Sequence, residues 1–191
     1  ASKRIKQAFG RGIKNYKAWA SLKERYRLFK KGAAPFSLVF KGIVRFIIPP
    51  GYVRHLGREK GYIYFQEFIP GNDHDIRVVV INDKAFAIKR LVRKNDFRAS
   101  GSGDILYEKK HFSDELIKLS FDISDKLHSQ CVAFDFIFLN NDPLIVEISY
   151  GFSPKGYEKC PGYWDKSLHW HETEFNPYGW MIENILNTRN E

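Results

Sequence analysis

The sequence predicts an α+β fold in two parts, and three observations predict it. Up to residue 60 the apolar residues recur at helical spacing, and sixteen Lys and Arg stand against only two acids, Glu24 and Glu59. From Gly61 onward the apolar period changes to two, and the remaining fifteen Lys and Arg are outnumbered by twenty acids. Within this second part, two pairs of strand-like runs are each joined by a short turn and separated by one helical segment with a capping signal. With 191 residues, 43% of them hydrophobic, the chain is long enough to bury a core as one domain or two small ones, and we divide it at 1–60 and 61–191.

In the first part, residues 1–31 read as one or two basic helices, broken near Gly10 and Gly12. Trp19, Leu22, Tyr26 and Phe29 fall at helical spacing and form one apolar stripe. A further helix is predicted over about 37–46, because Leu38, Val39, Phe40, Ile43, Val44 and Phe46 do not alternate; Pro49, Pro50 and Gly51 stop it. The net +14 of residues 1–60 invites a nucleic-acid partner, but no helix-turn-helix, zinc-finger or RNA-binding signature accompanies it. Solvated faces of amphipathic helices are the preferred reading, and nucleic acid is not the expected partner.

In the second part, 62–69 (YIYFQEFI) reads as a strand ended by Pro70 and Gly71. Residues 75–81 and 85–90 read as a hairpin about Asn82 and Asp83. Ser113 caps a helix with Asp114 and Glu115 in its first turn and Leu116, Leu119, Ile123 and Leu127 on its buried side. Residues 132–139 and 144–149 form a second hairpin, and the aromatic remainder from Gly151 resists assignment. There Trp164, Trp170 and Trp180 are expected to pack rather than to stack on sugar.

No apolar run approaches the ~20 residues of a membrane span, and the first ten residues hold no signal-peptide core. Cys131 and Cys160 lack CxxC spacing, so a reduced, cytoplasmic protein is expected. A chain starting at Ala1 without Met reads as a processed or excised piece.

The chemistry concentrates on the two hairpins. A short loop pairing Leu139 with Pro143 sets Asp135 directly opposite Glu147, with Ser149 on the same face and Phe134, Phe136 and Phe138 on the other, against the helix. Two facing carboxylates repel unless a cation lies between them, an arrangement suited to magnesium; a plain solvated sheet face is the alternative. On the first hairpin, Asp75 pairs with Arg90 and Arg77 with Ile88, either as a cross-strand ion pair or as part of an anion site. Downstream, FRASGSG (97–103) joins Arg98 to small residues that let backbone amides approach an anion, yet it has neither P-loop nor Rossmann spacing. His169, His171, Glu172 and Glu174 alternate, but with no further histidine at helical spacing a loop or plain surface outweighs a transition-metal site.

In that order, the segments YFQEFIPGNDHDIRVVVI, AIKR…NDFRASGSG and AFDFIFLNNDPLIVEISYGFSP resemble the ATP-grasp family. They are most similar to the ATP-grasp proteins of bacterial polysaccharide and peptide-modification clusters and to ribosomal-protein glutamate ligases, over about residues 61–154; CPGYWD and FNPYGW resemble the same subgroup. The resemblance implies two subdomains with antiparallel sheets and the nucleotide between them, residues 1–60 being a helical part of the lid side. It implies ATP and Mg2+ as cofactors, and carboxylate and amine substrates, small molecules or sugars and peptides, joined through an acyl-phosphate.

By position, the resemblance makes Glu67, Phe68 and Ile69 the hinge strand at the adenine edge and Asp75 the ribose contact. Arg90 would reach the γ-phosphate, and Arg98 with Ser100 and Gly101 would line the acceptor side. Asp135, Glu147 and Ser149 would hold magnesium, with Ser149 standing where the family has asparagine. The family also has a domain and a phosphate-contacting lysine strand upstream. FSLVFKG at Lys41 imitates that strand but reads as helix, so the chain is expected to be the back two-thirds of such an enzyme, weak in ATP binding and inactive alone. The rival reading is a non-catalytic fragment or a basic module for an anionic partner.

Overall fold

In the first third the helical pattern is realised, and three helices can be followed along their length among the described residues. In the computed structural model, which describes residues 2–14, 16–51, 53, 57–92, 99 and 104–188, these are α1 (Ser2–Phe9), α2 (Ala18–Lys30) and α3 (Phe36–Ile47). The break predicted at Gly10 and Gly12 leads into a two-residue strand, β1 (Ile13–Lys14), paired antiparallel with β2 (Arg58–Glu59). The stripe on α2 meets α3, the Trp19 ring contacting Phe46 and the Phe29 ring contacting Phe36. Gly42 makes that approach possible, since a Cβ there would lie 2.9 Å from both Leu22 and Arg25 side chains. Residues 62–69, predicted as a strand, form none; Tyr62, Tyr64, Phe65 and Phe68 are exposed. The segment carries apolar residues at both odd and even positions, and a strand of that kind needs cover on two faces.

The chain divides into two units, 1–67 and 68–191. The second is built on one antiparallel sheet in the order β7-β6-β3-β4-β8-β9, with β5 (Ile105–Leu106) pairing β4 off this path. The strands are β3 (His74–Ile81), β4 (Lys84–Leu91), β6 (Cys131–Leu139), β7 (Asp142–Ser149), β8 (Tyr163–Asp165) and β9 (Trp170–His171). Asn72 extends the pairing before β3 begins, donating to the Phe138 carbonyl and accepting from its amide at 3.0 and 2.7 Å.

One sheet face packs Ile76, Val78, Val80, Phe134 and Phe136 against α4 (Asp114–Leu127). Ser113 caps that helix as expected, accepting from the Leu116 amide. The buried side differs in part from the prediction: Leu116, Ile117, Ser120, Phe121 and Ser124 are buried, whereas Leu127 is exposed in the last turn. The serines fit there because Ser120 Oγ donates to the Leu116 carbonyl and Ser124 Oγ to that of Ser129.

The other face carries Val79, Ile81, Phe86, Ile88 and Ala133, covered by Phe152, Tyr157, Cys160, Phe175 and Trp180 from the C-terminal segment, which ends in α5 (Pro177–Thr188). Trp164 is buried against Phe112 and Trp170, and Trp180 packs on Phe175 and Tyr163, so these tryptophans do pack. Gly162 is required where β8 meets β9, because a Cβ would fall 2.1 Å from the His171 carbonyl oxygen.

Candidate active site

Three strand pairings gather the charged residues. Across β3 and β4, Asp75 lies opposite Arg90 and Arg77 opposite Ile88, the register expected from a two-residue turn at Asn82 and Asp83. Across β3 and β6, Arg77 lies opposite Asp135, and across β6 and β7, Asp135 lies opposite Glu147. Directly opposed residues share a face, so Asp75, Arg77, Arg90, Asp135 and Glu147 all emerge on one side of the sheet.

The Asp135–Glu147 opposition holds, but by a different route from the one predicted. The turn is Asn140-Asn141, both at positive φ, and it pairs Leu139 with Asp142 and Phe138 with Pro143. In an uninterrupted ladder that register would set Val146 against Asp135. A β-bulge, with Val146 as the additional residue on β7, moves Glu147 into that position.

Arg90 donates from Nε to Asp75 Oδ1 at 2.6 Å and from Nη2 to Asp75 Oδ2 at 2.8 Å, and Nη2 also lies 3.0 Å from Asp135 Oδ2. Arg77 Nε lies 3.3 Å from Asp135 Oδ1. Arginines from β3 and β4 thus compensate the charge of Asp135, and the four groups Asp75, Arg77, Arg90 and Asp135 balance in charge. Burial alone would lower the Arg90 pKa, but its hydrogen bonds to Asp75 and the charges of Asp135 and Asp75 outweigh it and hold the guanidinium above its ordinary value. Burial raises the Asp135 carboxyl, with the charges of Arg90 and Arg77 pulling the other way. Burial also pushes up the Tyr157 phenol, which lies within electrostatic reach of Arg77, Arg90 and Asp135.

Glu147, by contrast, is exposed, and Ser149 Oγ donates to its Oε1 at 3.0 Å. Asp135 Oδ1 is buried and accepts no hydrogen bond. The fit to a hard cation is therefore partial: one open carboxylate with its hydroxyl neighbour, and one buried oxygen with spare acceptor capacity. Among the described residues no group of three or more His, Cys, Asp or Glu could hold a metal ion.

The other predicted positions fare differently. Glu67, Phe68 and Ile69 lie in no strand, and the division between the two units falls between Glu67 and Phe68, so the hinge-strand expectation is corrected to an irregular segment. Arg98, Ser100 and Gly101 lie outside the described residues. His171 Nε2 lies 2.8 Å from Asp165 Oδ2 and its ring stacks on Tyr163, with His169 beside it. Arg77 is legible in the sequence as an alternate neighbour of Asp75 on the same strand face, whereas Tyr157 sits in the aromatic tail, where no periodicity marks it.

The family model of the RimK-like ATP-grasp domain matches residues 54–162, more than half of the chain, and spans both hairpins. The chain belongs to the RimK-like ATP-grasp family. Such domains are in general ATP-dependent carboxylate–amine ligases that use ATP and magnesium. No curated protein matches the chain. In this RimK-like domain the antiparallel sheet of the second unit carries the charged face, consistent with the α+β class.

Proposed function

We propose that the chain contributes the phosphate and metal end of a nucleotide site in an ATP- and magnesium-dependent carboxylate–amine ligase, acting on sugar or peptide substrates of cell-surface modification. The observation that carries this reading is the row Glu147, Asp135, Arg77 across β7, β6 and β3, with Asp75 and Arg90 one step further on the same face. Residues 1–60 would supply part of the lid side.

In this reading Glu147, the Ser149 hydroxyl and Asp135 Oδ1 would hold magnesium, which would neutralise phosphate charge. Arg90, locked by Asp75, offers a preorganised cation where charge develops as phosphoryl passes from ATP to the carboxylate. The acyl-phosphate so formed is attacked by the amine, which expels inorganic phosphate and leaves an amide. Arg98, Ser100 and Gly101 remain the proposed acceptor-side loop.

A second reading, a non-catalytic domain, is favoured by the closed ion-pair network of Asp75, Arg90, Asp135 and Arg77, which is neutral without a ligand. The two part in one experiment, thermal stability of the chain with ATP alone and with ATP plus magnesium. A magnesium-dependent rise in Tm supports the ligase site; no response to either supports the non-catalytic reading.

A further inference from the structure

Helix α3 carries an unbroken apolar stripe that its own unit leaves largely uncovered. It buries Val39 and Gly42, with Gly42 close against α2, while Phe36, Phe40, Ile43, Val44 and Ile47 recur at i, i+4, i+7, i+8 and i+11 on an exposed face. Phe36 is 60% exposed, Phe40 63% and Ile47 84%, values that leave most of each side chain uncovered. No charge interrupts the stripe; Lys41 and Arg45 flank it. The surrounding unit is strongly basic, with sixteen Lys and Arg against two acids in residues 1–60. The reading of the nucleotide site uses neither feature.

We propose that this face docks the protein on an anionic membrane surface, with α3 lying in the plane of the interface. A large exposed apolar patch on a charged unit marks an interaction surface, and two of its properties choose the occupant. An aliphatic stripe of Ile43, Val44 and Ile47 offers nothing to a nucleic-acid backbone, whose affinity is carried by phosphates. A second copy would bring an equally basic unit against this one, and the like charges repel. An anionic bilayer satisfies both properties at once, the stripe entering the boundary with the acyl chains and the lysines and arginines meeting lipid phosphates. The twelve residues of α3 extend about 18 Å, well short of the roughly 30 Å of a hydrocarbon core. Among the described residues no helix is long and apolar enough to cross a membrane, so the helix lies on the surface.

The test is co-sedimentation of the full chain with vesicles of phosphatidylcholine, and with vesicles in which part of that lipid is replaced by phosphatidylglycerol. Binding should require the anionic lipid and weaken as salt is raised. The double substitution Phe40→Ser and Ile47→Ser, at exposed positions and therefore expected to leave the thermal melt unchanged, should lower partitioning by about tenfold or more. The pair Lys31→Glu and Lys41→Glu should weaken binding to anionic vesicles as well. Equal pelleting with neutral and anionic vesicles overturns the proposal, as does absence of binding to both. Vesicle binding untouched by Phe40→Ser and Ile47→Ser also overturns it, and a dimer dissolved by the same substitutions would then assign the face to a second copy. These readouts use no nucleotide, so they stand apart from the fate of the ligase reading.

Discussion

Arg90 and Asp75 face each other across β3 and β4 and are joined by two parallel hydrogen bonds of 2.6 and 2.8 Å, while the same guanidinium reaches Asp135 on β6. One side chain on β4 thus ties together an acid of the neighbouring strand β3 and an acid of β6, which lies beyond β3.

Removing it should be costly. Arg90→Ala leaves Asp75 and Asp135 buried or half-buried with a large part of their compensation gone, a change that typically costs about 3–5 kcal/mol. Arg90→Lys should recover only part, because an ammonium lacks the planar fork that bonds both Asp75 oxygens. Urea denaturation of the second unit's β signal measures both, and a midpoint that Arg90→Ala does not move would show the network to be energetically idle.

Glu147 should behave in the opposite way. It is exposed and, among the described residues, is bonded by its neighbour Ser149, so Glu147→Gln should leave the melting temperature nearly unchanged. If it holds a cation, the substitution should reduce magnesium-dependent ATP affinity by roughly tenfold or more, the equivalent of one charge-assisted contact of about 1.5–3 kcal/mol. Calorimetric titration of ATP with and without magnesium reads the difference, and equal affinities for the two proteins would remove Glu147 from the site.

The Asp165–His171 contact predicts a pH dependence. The hydrogen bond from His171 is the largest influence on the Asp165 carboxyl and holds it below its ordinary value of 3.8. A carboxyl depressed in the folded state stabilises above its unfolded value and loses that contribution as pH falls through the folded one. Asp165→Asn should therefore be less stable than the parent near pH 6, and the gap should close below about pH 3.8. Melting temperatures of the two proteins across that range test it; a gap independent of pH would assign the loss to the backbone hydrogen bonds from Ser167 and His169 instead.

Cys160 should be chemically silent in the folded protein. Burial pushes its thiol up to about 12, and its Sγ lies 3.7 Å from the Ala87 carbonyl oxygen. At pH 8 only about one thiol in ten thousand would be ionised, and the thiolate is the reactive species. Iodoacetamide labelling read by peptide mass spectrometry should modify Cys160 only after denaturant is added. Rapid native labelling would mean that the aromatic cover over this sheet face opens readily.

Local chemistry was the legible part of the fold. The Asn82-Asp83 turn set the whole β3–β4 register, because a two-residue turn leaves only one pairing open. Ser113 declared the start of α4, and the non-alternating run at 36–47 declared a helix where a lysine strand was the competing idea. The pairing of Asp135 with Glu147 was reached through two compensating differences: the turn is one residue tighter than expected, and the bulge at Val146 restores the register. Bulges carry no sequence mark as clear as a turn, since any residue can be the extra one when partner and twist allow it.

What the sequence determined by itself was therefore each short-range choice: helix or strand over most segments, hairpin pairing, the helix cap, and the set of charged residues that share a face. The tertiary structure decided which of those groups meet. Whether Asp135, facing Glu147, also meets Arg77 and Arg90 depends on β3 lying between β4 and β6, a long-range pairing that no local period encodes. The segment 62–69 shows the same limit from the other side, for it has strand composition yet remains irregular. A strand is stabilised by neighbours rather than by its own residues, so its existence is settled only where the rest of the chain supplies them.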